Sequence, residues 1–239
     1  MICVPVWTQT ANSRESTIRY DHSRWKLIKR MSGSFDPLPE TTEVLLLKSL
    51  KPTGTGGVGQ PMNDVELLIG YGKVILYDYT KEGVKPNDNG TRFYSDDYLE
   101  IRSVTNDGFP EVLFHSGFEG ASNSITIEHI LFYDKLGASF VDIALSSFYN
   151  SGTHGFRWLN LAGRTFAAIA DRNWPATVAL KDRCHYCPSP FQYGVYQWNT
   201  EKGNAAFKMF RRFFGKESYQ EAYQALSGDW TLIQSGLSH

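Results

Sequence analysis

Apolar and polar positions in this chain change over in short runs, and the helical rhythm of i, i+3, i+4 is rare. Ser124-Ile125-Thr126-Ile127-Glu128-His129-Ile130 alternates with a period of two, which predicts a half-buried strand. Thr42-Glu43-Val44-Leu45-Leu46-Leu47 and Pro110-Glu111-Val112-Leu113-Phe114-His115 are short apolar runs, each followed by a Gly-rich stretch. Both read as buried strands; Val65–Ile69 is a further strand-like run, and Thr165–Ala170 is a candidate for the equivalent place in a third unit. An aromatic residue, then Asp or Asn, a short polar turn and a second aromatic recurs around Tyr20, Tyr77, Tyr133 and Trp198, at intervals of 57, 56 and 65 residues. Each copy carries the signal of a β-hairpin. Helical spacing is clearest over Lys216–Leu226, where Tyr219, Ala222, Tyr223 and Leu226 share one face and Gly228 stands at a C-terminal cap.

This pattern predicts a mainly β fold of antiparallel hairpins in blade-like or propeller-like units, closed by a short C-terminal helix. Segments 31–41, 51–64, 80–92 and 181–190 are rich in turn formers, but none is long enough for an interdomain linker. The expectation is therefore one β-rich domain over 1–239 with about four hairpin units.

Composition adds little chemistry. With 239 residues, 41% hydrophobic and 21% charged, the chain can close a core. A formal charge of −1 gives no global field for nucleic acid. No run reaches 18 apolar residues, so no membrane-spanning helix is expected. Met1–Thr10 shows neither the basic nor the apolar region of a signal peptide. Aromatics make up 14%, which suits strands and also offers flat rings for stacking on a ligand.

The stretch Asp97–Phe114, with Asn106-Asp107-Gly108 and Glu111, resembles the blade motif of FG-GAP/VCBS-type repeat proteins, the integrin-like β-propeller repeats. The match runs over residues 97–142, with His115–Ala121 similar to the family's Gly-rich turn and a weaker likeness to residue 210. The resemblance implies a calcium loop at Ser103, Thr105, Asp107, Gly108 and Glu111, and an extracellular or periplasmic setting. Ser103 and Thr105 stand where the family has acidic or amide ligands, so the loop is expected to be weak or vestigial for calcium. Asn106-Asp107-Gly108 also reads as a plain tight turn.

Other motifs leave alternatives open. Gly54-Thr55-Gly56-Gly57-Val58-Gly59 fits a dinucleotide fingerprint in letters, but a strand-like run follows it where a helix is required, so it reads as a connector. Cys184-His185-Tyr186-Cys187 is compatible with a local disulfide or plain thiols, half a metal site, or a redox pair. Carboxylates gather at Asp96, Asp97, Glu100, Asp107 and Glu111, the residue type a glycosidase needs in facing pairs. His115 and Ser116 are adjacent, yet a triad requires spatial convergence. His129, in an alternating strand, reads as a satisfied histidine and not as a ligand. Phe207, Phe210, Phe213 and Phe214 interleave with Lys208, Arg211, Arg212 and Lys216, a pattern that could stack on bases and contact phosphates but reads first as a half-buried strand with solvated cations.

The expectation is thus a non-catalytic binding or scaffold module with a protein or carbohydrate ligand. The alternative is a carbohydrate-active or carbohydrate-binding protein using the acids near 96–111.

Overall fold

The computed structural model describes residues 18–39, 42–56, 59–82, 93–119, 124–145, 148–151, 155–179, 187–200 and 205–238. The expected architecture is present: mainly β, antiparallel throughout, with helix at the C-terminus. Each larger sheet is a meander in sequence order, and none closes on itself among the described residues. Contacts group the chain into two units. The first comprises 1–103, 107–118 and 128–144, and the second 104–106, 119–127 and 145–239.

In the first unit, β1 (Trp25–Gly33), β2 (Thr42–Ser49), β5 (Val65–Tyr71) and β6 (Val74–Asp78) form one sheet in that order. Between β2 and β5, β3 (Gly54–Thr55) pairs with β4 (Pro61–Met62), so the described part of the Gly-rich segment connects strands. The second sheet runs β7 (Leu99–Arg102), β8 (Glu111–Glu119), β9 (Ser124–Asp134), β10 (Ser139–Asp142). One core joins the two: Val44 and Leu46, Val65, Leu67 and Ile69, Leu99 and Ile101, Val112 and Phe114, and Leu131. The i, i+2 spacing is that of strands presenting one face to a shared interior. On the far side of the first sheet, Leu45, Leu47 and Leu68 pack beneath Ile18 and Trp25. The apolar runs of β2 and β5 thus have both faces covered, which is why they lack alternation.

In the second unit, the first part of β9 pairs with β11 (Tyr149–Ser151). A four-stranded meander follows: β12 (Phe156–Leu161), β13 (Arg164–Arg172), β14 (Phe191–Asn199) and β15 (Ala206–Phe214). The β12–β13 hairpin closes on Ala162 (φ +49°) and Gly163 (φ +75°), a two-residue turn with both φ values positive. Its handedness matches the strand twist, and Gly takes the second position without a Cβ penalty. One face carries α2 (Ala222–Gly228) and α3 (Trp230–Leu237), which bury Ala225, Leu226 and Ile233 against Ala168, Tyr193 and Val195.

Three local expectations are corrected. Tyr20 does not begin a hairpin: Asp21 accepts from the Ser23 backbone and hydroxyl, making a turn that launches β1, whose partner is β2. After Tyr77 the chain turns into the single-turn helix α1 (Tyr79–Glu82), because Asp78 Oδ1 accepts from the Lys81 N–H as an N-cap. The hairpin there is β5–β6. The C-terminal helix begins at Ala222, because Tyr219 forms a backbone bridge with Ser189 and keeps that segment extended.

Candidate functional site

Strands β8 and β9 are neighbours, and successive residues on each point to opposite faces. His115 and Ser116 on β8, and Glu128 and His129 on β9, therefore divide into two pairs. His115 meets Glu128 on one face, and Ser116 meets His129 on the face that carries Phe114 and Leu131.

The inner pair belongs to a linear chain of polar groups. Tyr79 donates to Ser116 Oγ at 3.3 Å, and Ser116 Oγ lies 2.8 Å from His129 Nε2. His129 Nδ1 lies 2.8 Å from Asp142 Oδ2. Asp142 Oδ1 accepts from the Ile130 and Ala144 N–H groups, so this carboxylate acts as an acceptor. The Asp142 carboxylate takes the Nδ1–H, and Nε2 faces the Ser116 hydroxyl, which can donate or accept. The imidazole stacks on Phe114 with centroids 4.4 Å apart and meets the edge of Tyr79. This is the connectivity of a Ser-His-Asp triad. Acyl transfer, however, needs the hydroxyl oxygen to reach a carbonyl carbon. Ser116 is 0% exposed and His129 1%. As folded, the chain of bonds satisfies buried polar groups and presents no nucleophile.

The outer pair differs in charge. His115 Nε2 lies 2.6 Å from Glu128 Oε2, and Nδ1 lies 2.9 Å from Asp96 Oδ2. A carboxylate at each nitrogen is satisfied by an imidazolium donating twice. Burial pushes the His115 pKa down, but Glu128 and Asp96 together outweigh it and raise it from 6.5 to about 9. Tyr98 stacks on the ring at 4.1 Å, and burial beside Glu128 pushes the phenol pKa up.

Another buried acid, Glu66, stands on β5. Glu66 Oε2 is 2.5 Å from Thr80 Oγ1, which is 3.1 Å from Asp78 Oδ1. The hydroxyl can donate to only one of the two carboxylates at a time, and Asp78 is also paired with the Lys81 ammonium. Burial raises Glu66 from 4.5 to about 7, with the charge of Asp78 adding to it, so Glu66 is partly protonated near neutrality.

A cleft of about 310 Å³ opens in the same unit, lined by Phe35, Phe109, Pro110, Phe132 and Tyr133. Asp36, Asp107, Asp134 and Lys135 supply its polar groups. Phe35 belongs to the shared core, while Phe109 is 41% exposed. The rings thus run from the interior to the rim.

The sequence-derived candidates are scattered by comparison. Ser103 follows β7, and its Oγ is buried without a hydrogen-bond partner. Thr105 is buried. Asn106 has φ +62° and Gly108 φ +86°, so the segment is a tight turn. The Asn106 side chain bonds both the N–H and the carbonyl of Thr165. Asp107 is exposed and accepts from the Phe109 N–H, and Glu111 is fully buried at the start of β8. Of Ser103, Thr105, Asp107 and Glu111, two carry carboxylates, that of Asp107 on an exposed residue and that of Glu111 on a fully buried one. Among the described residues no three His, Cys, Asp or Glu side chains gather as a metal site. Cys187 is disulfide-bonded, and its carbonyl accepts from Arg172 at 2.7 Å. Cys184 lies outside the described residues. No described helix is long and apolar enough to cross a membrane. On β15, Phe207 is buried, Phe210 and Phe214 are exposed, and Arg211 donates to the Gly236 carbonyl.

Sequence reasoning missed the partnership of His129 with Ser116 and Asp142. The adjacent pairs His115-Ser116 and Glu128-His129, on consecutive predicted strands, were the available signal. It also missed the cleft, whose residues come from three separate segments.

No protein-family model matches the chain, and no curated protein matches it. Among solved structures, the crystal structure of CarG aligns over 56% of this chain and 92% of that one, at 10% identity and a TM-score of 0.43. That likeness is too slight to carry an argument.

Proposed function

We propose that this chain is a non-catalytic binding module whose small organic ligand seats in the aromatic cleft of the first unit. The observation that carries the reading is the cleft itself: about 310 Å³, with Phe35, Phe109, Phe132 and Tyr133 on its walls and acids at its polar positions. Ligand sites are concave, mostly apolar and fitted with a few oriented polar groups, in volumes of roughly 300–1,000 Å³. The sealed position of Ser116 agrees with binding in place of hydrolysis.

The carbohydrate alternative would also use ring faces. Of its acids, Asp107 lines the cleft, Asp96 is held by His115, and Glu111 is buried on β8. The resemblance to FG-GAP/VCBS repeats rests on residues 97–142, with a weaker likeness to residue 210. Calcium enters only as a weak ligand at the Asn106–Gly108 turn, and equal melting temperatures in calcium and in chelator would remove it.

A ligand-observed NMR screen of small aromatic, aliphatic and sugar compounds tests the reading. Hits are expected on the native protein and should be lost in Phe109→Ala, whose exposed ring leaves the core intact. Hits that bind both proteins equally would place the ligand elsewhere and overturn it.

A further inference from the structure

The cleft already holds an ammonium group. Lys135, in the turn between β9 and β10, reaches back so that Nζ lies 4.2 Å from the centre of the Phe109 ring and 2.9 Å from Asp36 Oδ2. Asp107 and Asp134 line the same cleft, so three carboxylates face one ammonium. Each of these last two uses Oδ1 to accept a local N–H, from Phe109 and Leu136 respectively. The Asp36 and Lys135 side chains are 69% and 45% exposed. Exposed pairs of this kind are weak and exchange readily.

We infer that the cleft recognises an ammonium-bearing ligand with an apolar body, and that Lys135 is an internal stand-in which the ligand displaces. This rests on the binding reading above and names its ligand class. The physical case has three parts. An ammonium over an aromatic face is attracted by the ring quadrupole, and more strongly as it is desolvated. The surplus of carboxylates remains after Lys135 is counted, so a second cation is favoured and an anion opposed. The apolar walls of Phe132, Tyr133 and Pro110 ask for a hydrocarbon body attached to that cation. A ligand supplying both would take the ring and the Asp36 carboxylate from Lys135, which would swing into solvent on its flexible stem.

Three probes of one shape separate the parts: phenethylammonium, 2-phenylethanol and 3-phenylpropionate, each titrated into ¹⁵N-labelled protein. Phenethylammonium is expected to bind about tenfold more tightly than the alcohol, with the carboxylate weakest. Shifts should centre on Phe109 and on Asp134–Lys135. Lys135→Met should tighten ammonium binding by about threefold to tenfold and leave the alcohol nearly unchanged, because it removes the internal competitor. Raising salt from 20 to 500 mM should weaken the ammonium selectively. Equal affinity for the three probes would overturn the cation inference while sustaining the cleft as a binding site. Unchanged ammonium affinity in Lys135→Met would overturn displacement. Absence of binding by all three, in both the native protein and Lys135→Met, would overturn the binding reading along with this one.

Discussion

Two histidines on adjacent strands of one sheet, both largely removed from water, are held by different partners. His115 lies between Asp96 and Glu128, and both ring nitrogens donate to carboxylates. His129 lies between Asp142 and Ser116, and a hydroxyl that can donate or accept takes the place of the second acid. Burial by itself disfavours an imidazolium. For His115 the two carboxylates together overcome that penalty. Alternation along β8 and β9 keeps the two arrangements on separate faces of the sheet, so neither set of partners can serve the other histidine.

The largest expected effect comes from breaking the inner arrangement at its anchor. Asp142→Ala removes the acceptor for His129 Nδ1–H and for two backbone N–H groups, which then stand buried without it. It should cost about 3–5 kcal/mol in urea unfolding. A loss below 1 kcal/mol would show that the anchor is dispensable.

Next is the pH dependence of the outer histidine. A pKa raised in the folded state from 6.5 to about 9 contributes stability that is fully present below pH 6.5 and lost as pH climbs through 9. This histidine's contribution should therefore fall by about 3 kcal/mol between pH 6 and 10. His115→Gln should be less stable at pH 6, since Glu128 loses its cation, and should show a flatter profile across that window. A parallel slope in the variant would refute the charged assignment.

Glu66 separates a third titration from these two. Its raised pKa means stability present below pH 4.5 and lost as pH rises through 7. Glu66→Gln keeps a hydrogen bond to Thr80 without the buried charge. It should gain about 1–2 kcal/mol relative to the native protein at pH 8, and little at pH 4.5. A gain of the same size at both pH values would remove ionisation as its cause.

The smallest effect tests the sealed serine. Ser116→Ala leaves Tyr79 within 3.4 Å of His129 Nε2, so the phenol can take over the lost bond. The expected cost is about 1 kcal/mol. A fluorophosphonate probe should leave native Ser116 unmodified, as judged by peptide mass spectrometry. Labelling there would reopen the catalytic reading.

Much of the fold was legible because strands announce themselves locally. Alternation in Ser124–Ile130 and the apolar runs at Thr42–Leu47 and Thr165–Ala170 each became strands β9, β2 and β13. The hairpins at Tyr133 and Trp198 formed as expected, between β9 and β10 and between β14 and β15. The hairpin signals at Tyr20 and Tyr77 misled because an Asp after an aromatic can equally start an Asx turn or cap a helix. Helix α3 escaped notice although Trp230, Ile233 and Leu237 recur at i, i+3 and i+7. The cleft was illegible for another reason. Phe35, Phe109 and Tyr133 meet only through long-range sheet packing, which no local pattern records.

The alternation of faces along β8 also sets how this region can change over time. Losing or gaining a single residue ahead of Phe114 would turn the strand over, sending an imidazolium toward Leu131 and a serine toward Asp96. Point substitutions can tune either histidine alone, but an insertion or deletion must break both at once. Length variation in this lineage should therefore collect in the turns, and the span from Phe114 to Ser116 should keep its count.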